Sequence, residues 1–413
     1  MANIYDAIVD GKSAGSYTLP SLAFAAGALN VYMRRGVYLE PADLVIPVGA
    51  TLVGEHSANT IIDFANAAYG VRVTSGFASV QTTGTIAIVS GSATVTGTGT
   101  TFTNLIVGDC IQFRGADFLI NAIVSDTQLT LESPYNGTSF SNVNFRALTM
   151  RSYDFLQNFR IQNSSVAGLA LVGCRNLELV RVAVKNCSPN ITLDNCTNVK
   201  LMNFFCKFSL GVGLLLNDSS NIAISMANIF DNFSHGISLT GDSPYFRILN
   251  SNITDNGGSG IYANGTNLYD TRVTGCMLKN NYEHGFYGNS SASSTHVTMC
   301  TLDENGSNGV NSLGSQMCVY ISSFRSNVGN GVLCSGDSCV VGGCLGTANN
   351  NGVVITGSNN RVCDNNFTNA TVYGCFLTNT SSENITTGNN FNGAGMAGYN
   401  DESTNSLQDM NKP

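Results

Sequence analysis

The sequence predicts an all-β solenoid, a rod of short strands wound into stacked coils, and three observations carry that expectation. A glycine recurs once per unit of roughly two dozen residues, a polar or cysteine position recurs beside it, and the stretch after each glycine alternates inward and outward side chains. Alternation over so few residues is the period of a strand and not of a helix. Units this short cannot bury their own apolar face, so each must stack on its neighbours.

From Ser165 to about Gly395 the chain divides into ten units, nine of which carry the glycine: Gly168, Gly213, Gly236, Gly260, Gly285, Gly309, Gly331, Gly352 and Gly374. The tenth, holding Pro189, Asn190 and Ile191, is the weakest. Pairs such as Leu169 and Leu171, Ile237 and Leu239, or Val353 and Ile355 follow as inward residues. The second register is Asn228, Asn252, Cys276, Cys300, Ser323, Cys344, Asn366 and Asn390, one per unit, and predicts a polar ladder along the rod. Gly and Asn are expected to supply the left-handed backbone of the corners. A β-sandwich with regular strand spacing does not account for both repeats. Helix is expected almost nowhere, the exception being Leu19 to Leu29 with Pro20 near its start, placed to cap the open end of the coil.

Composition narrows the partners. The 413 residues include 44 Gly, 13 Cys and no Trp, with 11% charged residues and a net charge of −8. An ordinary chain is about 25% charged. With no basic stripe to neutralise phosphates, nucleic acid is not an expected partner. No apolar run approaches the ~18 residues of a membrane span, so no membrane insertion is expected. The opening Met1-Ala-Asn-Ile-Tyr-Asp6 lacks the pattern of a signal peptide, which predicts synthesis in the cytoplasm. The cysteines fall where Ile or Asn stands in neighbouring units and read as reduced core residues.

The first strands are read at Gly36-Val-Tyr38, Ile46-Pro-Val-Gly49-Ala-Thr-Leu52-Val-Gly54 and Thr60-Ile-Ile62. This wording resembles the opening of right-handed parallel β-helix proteins of the pectate-lyase-like superfamily, and with the repeats it covers about three quarters of the chain. Between Gly76 and Ala147 the repeat is interrupted by five alternating stretches, expected to form a small inserted barrel or sandwich. Ser92 to Phe102, Val107-Gly-Asp109 and Leu129-Thr-Leu131 are similar to small β modules of bacteriophage tail and fibre proteins. The expected division is 1–75, cap and first strands; 76–147, the insert; 148–399, about ten rungs; and 400–413, a polar tail. The tailspike resemblance implies a homotrimer on a virion tail, in contact with other tail proteins.

One outward register stacks Asp231, Asp255, Lys279 and Asp303 at equal steps, with His235, Glu283, His284 and Glu304 close by. Carboxylates one rung apart stand roughly 5 Å from each other, the separation of a retaining glycosidase pair. Asp231 and Asp255 are therefore the candidate acid/base or nucleophile pair, with Asp303 and Glu283 in reserve and Lys279 holding a carboxylate ionised. Asp before Asn at a corner serves equally as a turn cap. Tyr262 and Tyr287, each two residues after the repeated glycine, form a candidate sugar platform, with His284 and Lys279 as further binding residues. Tyr245, Tyr269 and Tyr282 lie near in sequence, although tyrosine also suits a sheet surface for packing alone. The four histidines, His56, His235, His284 and His296, have no metal-ligand spacing, so no metal and no cofactor are expected.

Three functions fit. The first is a bacteriophage tailspike-like virion protein that binds bacterial surface polysaccharide, with or without cleaving it. The second is a non-enzymatic structural or decorating virion protein. The third is a bacterial polysaccharide lyase, hydrolase or epimerase.

Overall fold

The computed structural model describes residues 5–10, 16–47, 49–68, 70–74, 81–114, 116–148, 151–152 and 155–409. Val48 of the opening motif and the start of the insert at Gly76 lie outside the described residues.

The local unit is a short strand, mostly of three to five residues, with its inward side chain buried, and in most coils two of the three strands end at a residue of positive φ. In one coil Ala223–Ser225 turns at Met226 (φ 52°) into Asn228–Phe230, which turns at Asp231 (φ 55°) toward Ile237–Thr240. Each strand pairs in parallel with the matching strand of the next coil: Ile224 with Ile248, Ile229 with Ile253, Ile237 with Ile261. Three long sheets result. Sheet I has 15 strands among the described residues, and sheet III has 13. Sheet II is an eight-stranded and a three-stranded stretch, linked by single-residue bridges at Thr301 to Met277 and Ser323. One continuous apolar core runs inside the coil from Ala7 to Phe391, filled by inward Ile, Leu, Val and Phe. All thirteen cysteines are free, and twelve of them are buried.

The segments on either side of the insert belong to one rod. Thr51–Gly54 pairs with Phe155–Gln157, Thr60–Ala67 with Arg160–Ser164, and Val71–Thr74 with Leu169–Val172, so the insert is an excursion between consecutive coils. Its seven strands run antiparallel in one connected network around a separate core that includes Val95, Phe113 and Leu129. The long strand Ala116–Ser125 has register shifts at two places and joins both halves of that network. A short helix, Pro20–Ala25, packs on strands Ala7–Val9, Asn30–Met33 and Leu44–Ile46 with Ala23 and Phe24 buried.

Two sequence expectations need correction. Residues 400–409 are not a loose tail: Ala397–Asp401 and Leu407–Asp409 pair in parallel with Tyr373–Leu377 and Ile385–Thr387, because their backbone groups complete one more coil. The proposed polar ladder merges two adjacent columns. Asn228 and Asn252 are strand residues on the outer surface, with Asn252 Nδ2 donating a hydrogen bond to Asn228 Oδ1 at 3.0 Å, whereas Cys276, Cys300 and Cys344 are buried corner residues one position earlier in the coil. The main ladder lies at the opposite corner: Asn232, Asn256, Asn281, Asn305, Asn327 and Asn349 are each at most 2% exposed. Each Nδ2 donates to the Oδ1 of the next, at 2.8, 2.9, 3.1, 3.0 and 3.0 Å.

The repeated glycines are not the left-handed residues. Those positions are held by Asp231, Asp255, Asn280, Glu304 and Ser326, all with φ of 53–58°. A Cβ on Gly260 would stand 2.7 Å from Gly285 O and 2.9 Å from Asn281 Nδ2, so the glycine makes room for the ladder. Where the repeat is weakest, Asn190 takes the glycine position. Its own Nδ2 reaches Asn232 Oδ1 at 3.2 Å across the coil that holds Ser209, extending the amide chain.

Candidate functional site

Coil-to-coil stacking turns every sequence register into a column on the surface of the rod. The outward column of sheet III runs Ser238, Tyr262, Tyr287, Asn311. Tyr262 and Tyr287 stack with ring centroids 5.0 Å apart and planes 16° from parallel. The column of residues just before the repeated glycines adds His235, which lies flat on Tyr262 at 4.1 Å and 1°, and His284, at 5.7 Å and 25° from Tyr287. The result is a strip of four aromatic rings over three coils. Because the rings stack on one another, the strip offers ring edges and polar tips, which can meet a saccharide while neighbouring polar groups bond its hydroxyls.

Both histidines are neutral and oriented. Burial lowers the pKa of each, opposed in part by the nearby Glu283 carboxylate. His235 Nδ1 accepts the Ser259 backbone N–H at 2.9 Å, which leaves the proton on Nε2. His284 Nδ1 likewise accepts the Asn308 N–H at 3.2 Å. Its Nε2 faces the Asn311 amide at 3.3 Å, and the rotamer that turns Asn311 Oδ1 toward Nε2–H also gives that buried oxygen its partner. Burial, then Tyr287 and Glu283, raises the Tyr262 pKa, so the phenol stays a donor. Glu283 accepts the Ser259 hydroxyl at 3.0 Å and lies 3.9 Å from His235 Nδ1. Its side chain is 48% exposed, so a carboxylate is available at the edge of the strip.

The structure brings together four of the sequence candidates, Tyr262, Tyr287, His284 and Glu283, and adds His235 and Ser259. Asp231 and Asp255 share one exposed corner column, Asp255 Oδ1 accepting from Asn280 Nδ2 at 3.2 Å. Lys279 and Asp303 do not belong to that column. The step from Asn252 to Met277 is one residue longer than the step from Asn228 to Asn252, so Lys279 pairs with Thr254 on the strand and Asn280 takes the corner. Lys279 Nζ bonds Glu304 at 3.0 Å, leaving Asp231 and Asp255 without it. Asp303 is 3% exposed and held by Arg325 at 2.8 Å, which removes it as a reserve acid. Tyr245 and Tyr269 lie at a different corner, edge to face at 5.9 Å. Phe233 and Tyr282, both strongly exposed, flank Gly257 on the apex above the strip. A sequence signal for His235 and His284 existed, since each immediately precedes a repeated glycine.

Among the described residues no group of three or more His, Cys, Asp or Glu side chains is placed to hold a metal ion, and no helix is long and apolar enough to cross a membrane.

A family model described as the right-handed β-helix region matches residues 150–302. The coil is a right-handed parallel β-helix. Among solved structures, the A-module of mannuronan C-5 epimerase AlgE6 from Azotobacter vinelandii superposes with a TM-score of 0.52 at 15% identity, over 95% of this chain and 93% of its own. The tailspike protein gp49 from Pseudomonas phage LKA1 superposes with a TM-score of 0.55 at 13% identity, over 94% of this chain and 74% of its own. These likenesses are of fold. Curated proteins gave no sequence match.

Proposed function

We propose that this chain is a tailspike-like protein that binds a bacterial surface polysaccharide along the outer face of sheet III. The observation that carries the reading is the strip of His235, Tyr262, Tyr287 and His284, four rings flanked by amide, hydroxyl and carboxylate groups on an open surface. An extended saccharide matches a strip that runs over three coils better than a compact metabolite does, because successive sugar residues can each meet a ring edge or a polar tip. The fold is shared with proteins named as a mannuronan epimerase and a phage tailspike, so a saccharide ligand is within the range of what such coils carry. Cleavage, where it occurs, would use Asp231 and Asp255 on the adjoining corner, with Glu283 at the strip edge.

The same proposal places the protein on a virion tail as a homotrimer in contact with other tail proteins. The support is a small apolar patch at the corner between sheets I and II, where Met299 and Ile321 are exposed on successive coils and Leu345 is exposed at the start of the next sheet II strand. Light scattering on the purified protein reads the oligomer directly, and a monomer would remove that part of the proposal.

The test of binding is retention on immobilised capsular and lipopolysaccharide extracts. Tyr262→Ala with Tyr287→Ala should lower retention at least about tenfold, from contact losses of roughly 1 kcal/mol or more at each ring. Unchanged retention would refute the assignment. Release of new reducing ends, lost in Asp231→Asn or Asp255→Asn, separates a depolymerase from a binder.

A further inference from the structure

A second patch of concentrated chemistry lies on the outer face of sheet II, at the strands Ala183–Lys185 and Phe205–Lys207. They pair in parallel with Lys185 beside Lys207, so two ammonium groups leave the sheet from positions about 4.8 Å apart. Like charges set opposite each other in a sheet are destabilising. The other two lysines among the described residues are neutralised, Lys200 by Glu178 at 2.9 Å and Lys279 by Glu304 at 3.0 Å, whereas Lys185 and Lys207 take part in no ion pair there. Arg160, on the preceding coil, adds a third positive charge and donates to Ala58 O. Burial, then Arg160 and Lys207, lowers the Lys185 pKa, and Asp63 opposes them. Asp63 is already saturated: it accepts from the Ala65 N–H at 2.8 Å, Gln162 Nε2 at 2.7 Å and Asn163 Nδ2 at 3.1 Å. Lys207 Nζ lies 5.0 Å from the Phe208 ring centroid and 5.3 Å from that of Phe230, contacts that hold the ammonium in place. Phe205, outward on the same strand two residues before Lys207, is 41% exposed.

We propose that this patch binds a phosphate monoester with an apolar or aromatic body, its phosphate bridging Lys185 and Lys207 and its body resting on Phe205. The charge selects the class. A monoester carries about −1.5 to −2 near neutral pH, which matches two ammonium groups, whereas a carboxylate brings one charge and leaves a lysine unpaired. The exposed Phe205 ring selects against the bare ion, because covering it removes apolar surface from water. A long polyanion is disfavoured, since the chain as a whole carries −8 and would repel it. The patch lies on a different sheet from the strip of histidines and tyrosines and stands whether or not that strip binds polysaccharide.

The full chain is titrated with phenyl phosphate and with inorganic phosphate at about pH 7.5, where both are largely dianions, and binding is read from phosphorus NMR line broadening. Phenyl phosphate should bind at least about threefold more tightly than inorganic phosphate, and Phe205→Ala should remove that margin. Lys185→Gln with Lys207→Gln should weaken phenyl phosphate at least about tenfold, through the loss of two charge-assisted contacts. Lys185→Arg with Lys207→Arg keeps both charges and should bind within about threefold of the unaltered chain. The melting temperature of each variant checks the fold. The proposal is overturned if phenyl phosphate does not bind, if inorganic phosphate binds as tightly, if the glutamine pair leaves affinity unchanged, or if the arginine pair loses as much as the glutamine pair. Retention on polysaccharide extracts, by contrast, bears only on sheet III.

Discussion

Replacing Asn281 by alanine tests whether the buried amide ladder holds the candidate site in place. Asn281 is 1% exposed. Its Nδ2 donates to Asn305 Oδ1 and to Ile253 O, both at 3.1 Å, and its Oδ1 accepts from Asn256 N at 3.3 Å and Asn256 Nδ2 at 2.9 Å. Two of the four partners keep another bond: Asn256 Nδ2 still reaches Ile229 O at 3.4 Å, and Asn305 Oδ1 still accepts the Asn281 N–H at 3.2 Å. The Asn256 N–H and one acceptor site of Ile253 O are orphaned. At about 1–3 kcal/mol for each buried unsatisfied group, Asn281→Ala should cost about 2–6 kcal/mol. Asn252→Ala, which removes one exposed hydrogen bond of 3.0 Å to Asn228 Oδ1, is the matched control and should cost under about 1 kcal/mol. Guanidinium unfolding followed by circular dichroism, approached from both directions, reads the difference. Because Asn281 directly precedes Tyr282 and Glu283, the damaged corner should also weaken saccharide retention. A loss below about 1 kcal/mol for Asn281→Ala would refute the reasoning, since it would mean that water satisfies the freed groups.

Three further outcomes follow from the same geometry. Gly260→Ala places a Cβ 2.7 Å from a backbone carbonyl and 2.9 Å from a ladder amide, so unfolding experiments should record a loss of about 1–3 kcal/mol. Burial lowers the pKa of both His235 and His284, so the folded state binds fewer protons than the unfolded chain. Stability should then decline as pH falls below the unfolded value of about 6.5, and His235→Gln with His284→Gln should flatten that decline in melting scans. Glu40 is the opposite case: burial raises its pKa, and Oε2 has no partner among the described residues while Oε1 accepts the Ser21 N–H at 3.0 Å. Its contribution is present at low pH and is lost as pH rises through the raised value, so Glu40→Gln should stabilise at about pH 7 and change little at about pH 4.

The parts of the candidate site that were legible in the sequence are those lying within one or two units. Tyr262 and Tyr287 share a position relative to the repeated glycine, and Glu283 and His284 precede Gly285, so their proximity follows from counting. The Asp231 and Asp255 column is also correctly counted, since the strands that lead into them, Asn228–Phe230 and Asn252–Thr254, pair residue for residue. Counting fails where a unit gains one residue. The longer step after Asn252 shifts Lys279 and Asp303 off the corner and onto the strand column, where the pleat pairs them with Glu304 and Arg325. The corners do carry Asn and Gly of positive φ, such as Asn250, Asn280, Gly275 and Gly343, but the repeated glycine is a different one, kept small by a close approach. A recurring glycine signals a backbone constraint, but a close approach and a left-handed turn leave the same mark in a sequence.

The sequence alone determined the coil: the alternation that buries Ile, Leu and Val, and units too short to stand without neighbours. Both are local properties, readable from a window of some two dozen residues. Only the tertiary structure decided which columns meet. The four-ring strip depends on the register between coils, and the insert joins Arg146 to Asp218, which are far apart in sequence. No periodicity within the rod contains the position of an insert, whose core is separate from that of the coil and which meets it through Arg146 and Asp218.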